Sequence, residues 1–195
     1  MSIASVRAFF QAQQIDMPIV ELDLNTSTVA LAAQAHGVEP GRIAKTLAFK
    51  LADGKVFLLV ARGDARIDNA KFKAAFGKGK MLALEEVEAL TGHPVGGVCP
   101  FGLATPLPVY LDRSLLAFDE VLPAAGSVNS ALRISPQFMA ELTQGQWVDA
   151  CQLASAFCRL ACALCTWSQS AGRRPGPCLQ CGPSGALCAF TTQKG

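Results

Sequence analysis

Across residues 2–14 the apolar side chains Ile3, Val6, Phe9 and Phe10 recur at three- and four-residue spacing, which predicts an amphipathic first helix. The period then shortens, and Ile19-Val20-Glu21-Leu22 within residues 18–24 reads as a short strand. Asn25-Thr26-Ser27-Thr28 supplies capping oxygens for a second helix over Val29–His36, and Gly37 is its natural stop. Beyond a Pro40-Gly41 turn, two β-like runs, Ile43–Leu51 and 56–61, flank Ala52-Asp53-Gly54-Lys55, and Asp-Gly between apolar runs signals a hairpin. Residues 68–76 predict a helix ended by Gly77, and residues 81–84 a short strand. Residues 85–90 form a further helix with Glu85 and Glu86 in its first turn, where the dipole favours acids. Residues 108–111, 115–121 and 131–134 are strand-like, and Pro136 opens a last short helix reaching 142. Helices and strands alternate without a regular βαβ rhythm. A mixed α/β or α+β fold follows, with a mainly antiparallel or mixed central sheet and flanking helices.

One loop does not fit as a plain connection. Gly96-Gly97-Val98-Cys99-Pro100-Phe101-Gly102, preceded by Thr91-Gly92-His93-Pro94, is too rich in glycine and proline for a helix or a central strand. It reads as a bare turn, as a cysteine nucleophile with His93 beside it, or as a backbone cradle that lets N–H groups approach a ligand. A small buried thiol is the plainer role for Cys99. Lys45 lies near the start of an apolar strand; most lysines are merely solvated, but a cation facing a glycine loop suits a phosphate or a developing oxyanion. A second loop, Ala125-Gly126-Ser127-Val128-Asn129-Ser130, offers small polar groups and is otherwise an ordinary turn. Asp112 reads as a cap for the segment that follows it.

Charge divides the chain sharply. All 15 acidic residues lie in residues 1–150 with 13 Lys and Arg, a net of −2, whereas residues 151–195 carry four basic residues and no acid. Seven of the eight cysteines also lie after residue 150. The boundary defines a body, 1–150, and a Cys-rich tail, 151–195. With one cysteine the body reads as cytosolic and reduced; no signal peptide or membrane-spanning run is expected. Arg62, Arg66, Lys71, Lys73, Lys78 and Lys80 form its one basic cluster, a solvated face or a modest phosphate-contacting patch. The net charge of the body argues against strong non-specific duplex binding.

The ordered pieces IAKTLAF, TGHPVGGVCPFG, LPVYLD and AAGSVNSALRISP resemble the YbaK and prolyl-tRNA synthetase editing-domain family over residues 2–150. The resemblance implies hydrolysis of the ester joining a wrong amino acid to the end of a tRNA, often tRNA for proline. It implies the aminoacyl-tRNA acceptor end as partner, with an aminoacyl-tRNA synthetase as a further one, and no cofactor. Carried over, Lys45 is the key lysine. Gly96, Gly97, Val98, Cys99 and Pro100 form the loop at the amino-acid pocket, and Thr46, Gly126, Ser127, Asn129 and Ser130 help to line it. The family uses no protein nucleophile: lysine and backbone position the substrate, and a ribose hydroxyl assists attack by water. Cys99 stands where many relatives carry serine, and Asn129-Ser130 where many carry glycine, so the amino acid removed is left open. A non-catalytic module binding charged tRNA through the same pocket is the alternative, and a hydrolase built on Cys99 and His93 a third.

The tail lies outside the resemblance. Cys162 and Cys165, then Cys178 and Cys181, approximate a four-thiolate zinc spacing. Cys158, Cys162 and Cys165 equally fit one stripe of a helix, and a segment outside selection is a further reading.

Overall fold

In a computed structural model that describes residues 2–153, the strand Val56–Arg62 (β3) runs through the centre, and Phe57 to Ala61 are all buried. A strand covered on both faces must be apolar at every position rather than at alternate ones, and VFLLVA meets that demand. Its partner across the hairpin is Ile43–Leu51 (β2), in antiparallel register with Phe49 opposite Phe57 and Leu47 opposite Leu59. Gly54 makes the turn with φ +87°, and Asp53 Oδ1 accepts from Lys55 N at 3.1 Å.

Around this pair the chain sets α1 (Ser2–Ala12), β1 (Ile19–Glu21), α2 (Val29–His36), β4 (Ala65–Ile67), α3 (Asn69–Phe76), β5 (Gly79–Met81) and α4 (Leu84–Thr91). Then follow β6 (Val109–Asp112), β7 (Leu122–Pro123), β8 (Ser130–Leu132), α5 (Pro136–Thr143), β9 (Gln146–Val148) and β10 (Cys151–Leu153). The central sheet has the order β5-β2-β3-β6-β9, with β7 also on β2. It is mixed: β5 and β3 run antiparallel to β2, while β6 lies parallel to β3, β9 to β6 and β7 to β2. Two small antiparallel pairs, β1 with β8 and β4 with β10, complete it.

One face of β3, Leu58 and Val60, packs with Val6 and Phe10 of α1, Val87 of α4 and Met139 of α5. The other, Phe57 and Leu59, packs with Phe72 and Phe76 of α3 and with Tyr110; the Phe57–Phe76 centroids are 4.5 Å apart. Each fully buried aliphatic or aromatic side chain contributes about 1.5–3 kcal/mol. The caps lie where expected: Thr28 Oγ1 accepts from Leu31 N, Asp68 from Ala70 N and Lys71 N, and Gly37 closes α2 with φ +63°.

Two expectations are corrected. Residues 115–121 are not a strand; Asp112 accepts from Ser114 N and starts a short 3-10 helix, Arg113–Ala117, that drops Leu115 into the core. The short strand expected at 81–84 ends at Met81 instead. Gly79–Met81 pairs with Phe49–Leu51, and Leu84 already begins α4. Strands β4, β9 and β10 were not legible in the pattern. Because β10 pairs with β4, the paired strands run past residue 150 to Leu153. Cys162, Cys165, Cys178 and Cys181 lie outside the described residues. Among the described residues no helix is long and apolar enough to cross a membrane, and no cluster of three or more His, Cys, Asp or Glu side chains is placed to hold a metal ion.

Candidate active site

The site begins as a gap along β2. On the side away from β3, β7 pairs only with Ile43 and Ala44, and β5 only with Phe49 to Leu51, extended by the bond from Leu82 N to Ala48 O. Among the described residues no strand lies beside residues 45–47 there. In an antiparallel pair the N–H and C=O of one residue point the same way and alternate along the strand. Because Ala48 O points into this side, the N–H and C=O of Thr46 do so too. A strand edge left open between two paired ends is a ready site for a ligand's main chain.

A cavity of about 300 Å³ fills the gap. Its wall is mostly apolar, with Ala32 of α2, Ile43, Ala44 and Ala48 of β2, Leu82, Val87, Val98, Leu122 and Ala131. Met81, Leu84 and Val95 form an exposed apolar rim, being 60%, 64% and 48% exposed. Among the described residues, Thr46 Oγ1 and His36 Nε2 are buried without a hydrogen-bond partner, and both residues line the cavity. His36, in the last turn of α2, is only partly buried as a residue. Burial first, and then Arg133, push its imidazole below the usual histidine range.

The two glycine loops close the far side by leaning on each other. A Cβ on Gly97 would lie 2.5 Å from the Ser127 carbonyl carbon, and one on Gly96, at φ +90°, 2.7 Å from Ser27 Cβ. Glycine is required at both by contact. The 126–130 loop is spent on internal bonds: Ser127 Oγ lies 2.7 Å from both Asn129 Oδ1 and Ser130 Oγ, and Asn129 Nδ2 donates to Leu22 O at 2.9 Å. Val128 O accepts from Thr26 N at 2.7 Å and from Thr26 Oγ1 at 2.9 Å, which fixes the approach to α2.

Residues 24–142 match the model of the aminoacyl-tRNA editing domain. The chain belongs to the aminoacyl-tRNA editing domain family. It is 45% identical over 154 residues to the uncharacterized protein YwhH of Bacillus subtilis, covering 78% of this chain and 98% of that one. It is 31% identical over 119 residues to EbsC of Enterococcus faecalis, named as a candidate Cys-tRNA(Pro)/Cys-tRNA(Cys) deacylase, covering 60% of this chain and 73% of that one. A solved structure described as a candidate trans-editing enzyme for prolyl tRNA synthetase superposes with a TM-score of 0.72 at 36% identity, covering 77% of this chain and 97% of the other.

Within this editing domain, Lys45, Thr46, Gly96, Val98 and Ser130 come together on the cavity, from three separated stretches. Lys45 is half-buried, and its ammonium donates to Gly63 O at 3.0 Å and to Ala65 O. Desolvation lowers its pKa, opposed by Cys151 and Asp64. Gly97, Cys99, Pro100, Gly126, Ser127 and Asn129 do not line the cavity and form the layer behind it. Cys99 is fully enclosed; its Sγ lies 3.6 Å from His93 Nε2 and donates to Phe101 O at 3.5 Å. Burial pushes the thiol up to about 12, and His93 Nε2 is itself 2.8 Å from Phe101 O. A thiol that stays protonated and meets no solvent is a poor nucleophile. The pair is therefore built as core, not as a hydrolytic dyad. Lys73, Lys78 and Lys80 of the basic cluster are exposed, whereas Lys71 is paired with Asp149 at 2.8 Å and Arg62 with Asp64 at 2.7 Å. Sequence reasoning missed His36 and the lining role of Thr26 and Ser27, which read as caps. The available signal was that His36 is one of two histidines and stands on an otherwise small apolar helix.

Proposed function

We propose that the chain is a trans-editing hydrolase that deacylates mischarged aminoacyl-tRNA in the cytosol, with tRNA for proline as the first acceptor to test. The observation that carries this reading is the convergence of Lys45, Thr46, Gly96, Val98 and Ser130 on one cavity at the open edge of β2. The amino-acid side chain enters the apolar wall, and the exposed rim of Met81, Leu84 and Val95 takes the terminal nucleoside. The C=O of Thr46 accepts from the α-ammonium group. Of the loop amides, Gly97 N is already bonded to Pro94 O at 2.9 Å, so Gly96 and Val98 are the donors left beside the ester carbonyl. Lys45 holds the 63–65 turn against β2 and keeps one of its three N–H groups for the substrate. No side chain attacks; water does, assisted by the neighbouring ribose hydroxyl, and the chain's contribution is position. The names of the relatives support tRNA for proline as acceptor and a synthetase as working partner.

A second reading, a module that binds charged tRNA without cleaving it, is favoured by the occupied ammonium of Lys45. Deacylation of a panel of mischarged tRNAs by the full chain and by Lys45→Ala separates the two. The full chain is used because β10 lies beyond residue 150. The expected result is clearance of one or two aminoacyl-tRNAs by wild type and at least about a tenfold slower rate in Lys45→Ala, the size of one lost charged hydrogen bond. Binding of charged tRNA with no loss of ester establishes the module instead.

A further inference from the structure

A row of lysines continues the cavity wall along the sheet. Lys50 of β2 and Lys80 of β5 stand directly opposite each other in the antiparallel register, so their side chains share one face. Leu82 N bonds Ala48 O at 2.9 Å, which carries the same pairing toward the cavity. Side chains alternate along a strand, so Ala48 and Leu82, two residues from the lysine pair, lie on that face too, and both line the cavity. In the other direction Ala52 N bonds Lys78 O at 2.9 Å, and alternation adds Lys78 to the row. Its members follow one another at about 6–7 Å along the strand. Like charges directly opposite on a sheet destabilise it. One carboxylate, on Glu86 of α4, faces the pair; it accepts from Lys50 at 2.9 Å, and Lys50 first, then Lys80, hold it below the usual carboxylate range. Glu85 and Glu88, three residues apart, share another flank of that helix. Lys78 and Lys80 are exposed, and neither enters an ion pair among the described residues.

We propose that Lys50, Lys78 and Lys80 form a phosphate-binding row that holds the backbone of the RNA strand whose end carries the ester. The ligand rests on the editing reading; the row itself rests on the register of β2 and β5. A terminal nucleoside on the rim of Met81, Leu84 and Val95 directs its strand past β5, because Met81 adjoins Lys80 in the chain and Leu84 opens the helix that bears Glu86. Ammonium groups at regular spacing hold successive phosphates in register without reading bases. Residues 1–150 carry a net charge of −2, so the attraction for a polyanion has to be local, and here three lysines meet one carboxylate. Because β5 is the edge of the central sheet, a lysine on it also hinders pairing with a second copy. Edge protection does not account for Lys50, which lies on the inner strand β2.

The test uses the full chain and fluorescein-labelled, uncharged tRNA for proline, with binding read by anisotropy from about 50 to 200 mM salt. Lys78→Gln with Lys80→Gln is expected to weaken binding at least about tenfold at the low-salt end and to flatten the slope of log affinity against log salt by about 1–2. Lys50→Gln lowers both in the same direction, and Lys80→Arg preserves both. Arg113→Gln, which removes an exposed charge beyond the end of β6, leaves both near wild type. On mischarged tRNA the double variant raises KM and leaves kcat nearly unchanged, as for a contact equal in ground and transition states. Wild-type affinity and slope in the double variant, a loss matched by Arg113→Gln, or no binding of tRNA by wild type overturns the inference. So does displacement of the labelled tRNA by duplex DNA as readily as by unlabelled tRNA. A double variant that keeps its affinity but self-associates in sedimentation overturns it as well and identifies the lysines as guards of the β5 edge. Lost affinity in the double variant with no ester cleaved by wild type leaves the row standing and overturns the hydrolase reading; cleavage with an unchanged KM does the reverse.

Discussion

Asp112 is 1% exposed and ends β6 with its carboxylate turned into the protein. It accepts from Ser114 N at 2.9 Å through one oxygen, and from Ala150 N at 2.8 Å and Cys151 N at 3.0 Å through the other. A single side chain thus starts the 3-10 helix and anchors the strand β10 that follows the end of the sheet. Replacing one carboxylate oxygen by an amide points a donor at backbone donors. Asp112→Asn is expected to lower unfolding free energy by about 2–3 kcal/mol, read from urea denaturation, since buried groups lose their partners. An unchanged midpoint would show that the 150–151 amides find other acceptors. The bland reading of Asp112 as a cap was legible in the sequence, because Asp at a strand end before a helical turn is a local signal. Its bond to residues 38 and 39 positions away was not. Cys99 teaches the same lesson in reverse. His93 lies six residues from Cys99 and does reach it, but only burial shows that the contact is a packed one.

Elements meet at the site through the two glycine loops and the short strands that flank β2. Gly97 is needed because the backbone of Ser127 occupies the space a side chain would take, at 2.5 to 2.8 Å from an added Cβ. Main chain cannot swing aside as a side chain does. Gly97→Ala is therefore expected to cost about 1–3 kcal/mol and to slow deacylation, because the loops part and the cavity wall opens. Calorimetric melting and the tRNA assay check both effects, and a variant with wild-type values in both would remove the contact from the argument. The sequence marked these loops through their glycine content. It did not show that they touch, nor that β5 and β7 stop short of each other along β2. Strands of two or three residues such as β7 and β9 carry too few positions for a period to be read, and their pairing is decided by what lies alongside. The expected strand at 115–121 failed for a related reason: apolar residues in a tight turn bury as well as those in a strand.

At the scale of the molecule, the described residues form a mixed sheet covered on both faces, and both histidines lie within them with lowered pKa values. Burial is the main cause of the lowered pKa of His36 and of His93, and His93 is fully enclosed. Unfolded histidines take up protons near pH 6.5, and the native state resists doing so. The unfolded state then binds more protons, so stability is fully present above about pH 6.5 and is lost as the pH falls below it. Melting temperature is expected to fall between about pH 7 and pH 5, and less steeply in His93→Gln. A flat profile over that range would show that the imidazoles charge without cost.

By itself the sequence determined most of the local elements and the family. The hairpin, the capped helices α2 and α3 and the glycine loops depend on residues within a few positions of one another, and the ordered motifs around Lys45, Gly96 and Gly126 carried the family. Tertiary structure alone decided the cavity. Its wall is assembled from α2, β2, α4, the short strands β5, β7 and β8 and the segments between them, and two of its residues, His36 and Thr46, each keep a buried polar atom without a partner among the described residues. Whether a threonine hydroxyl or a histidine nitrogen is satisfied depends on every neighbour in space, and the order of residues along a chain does not contain that list.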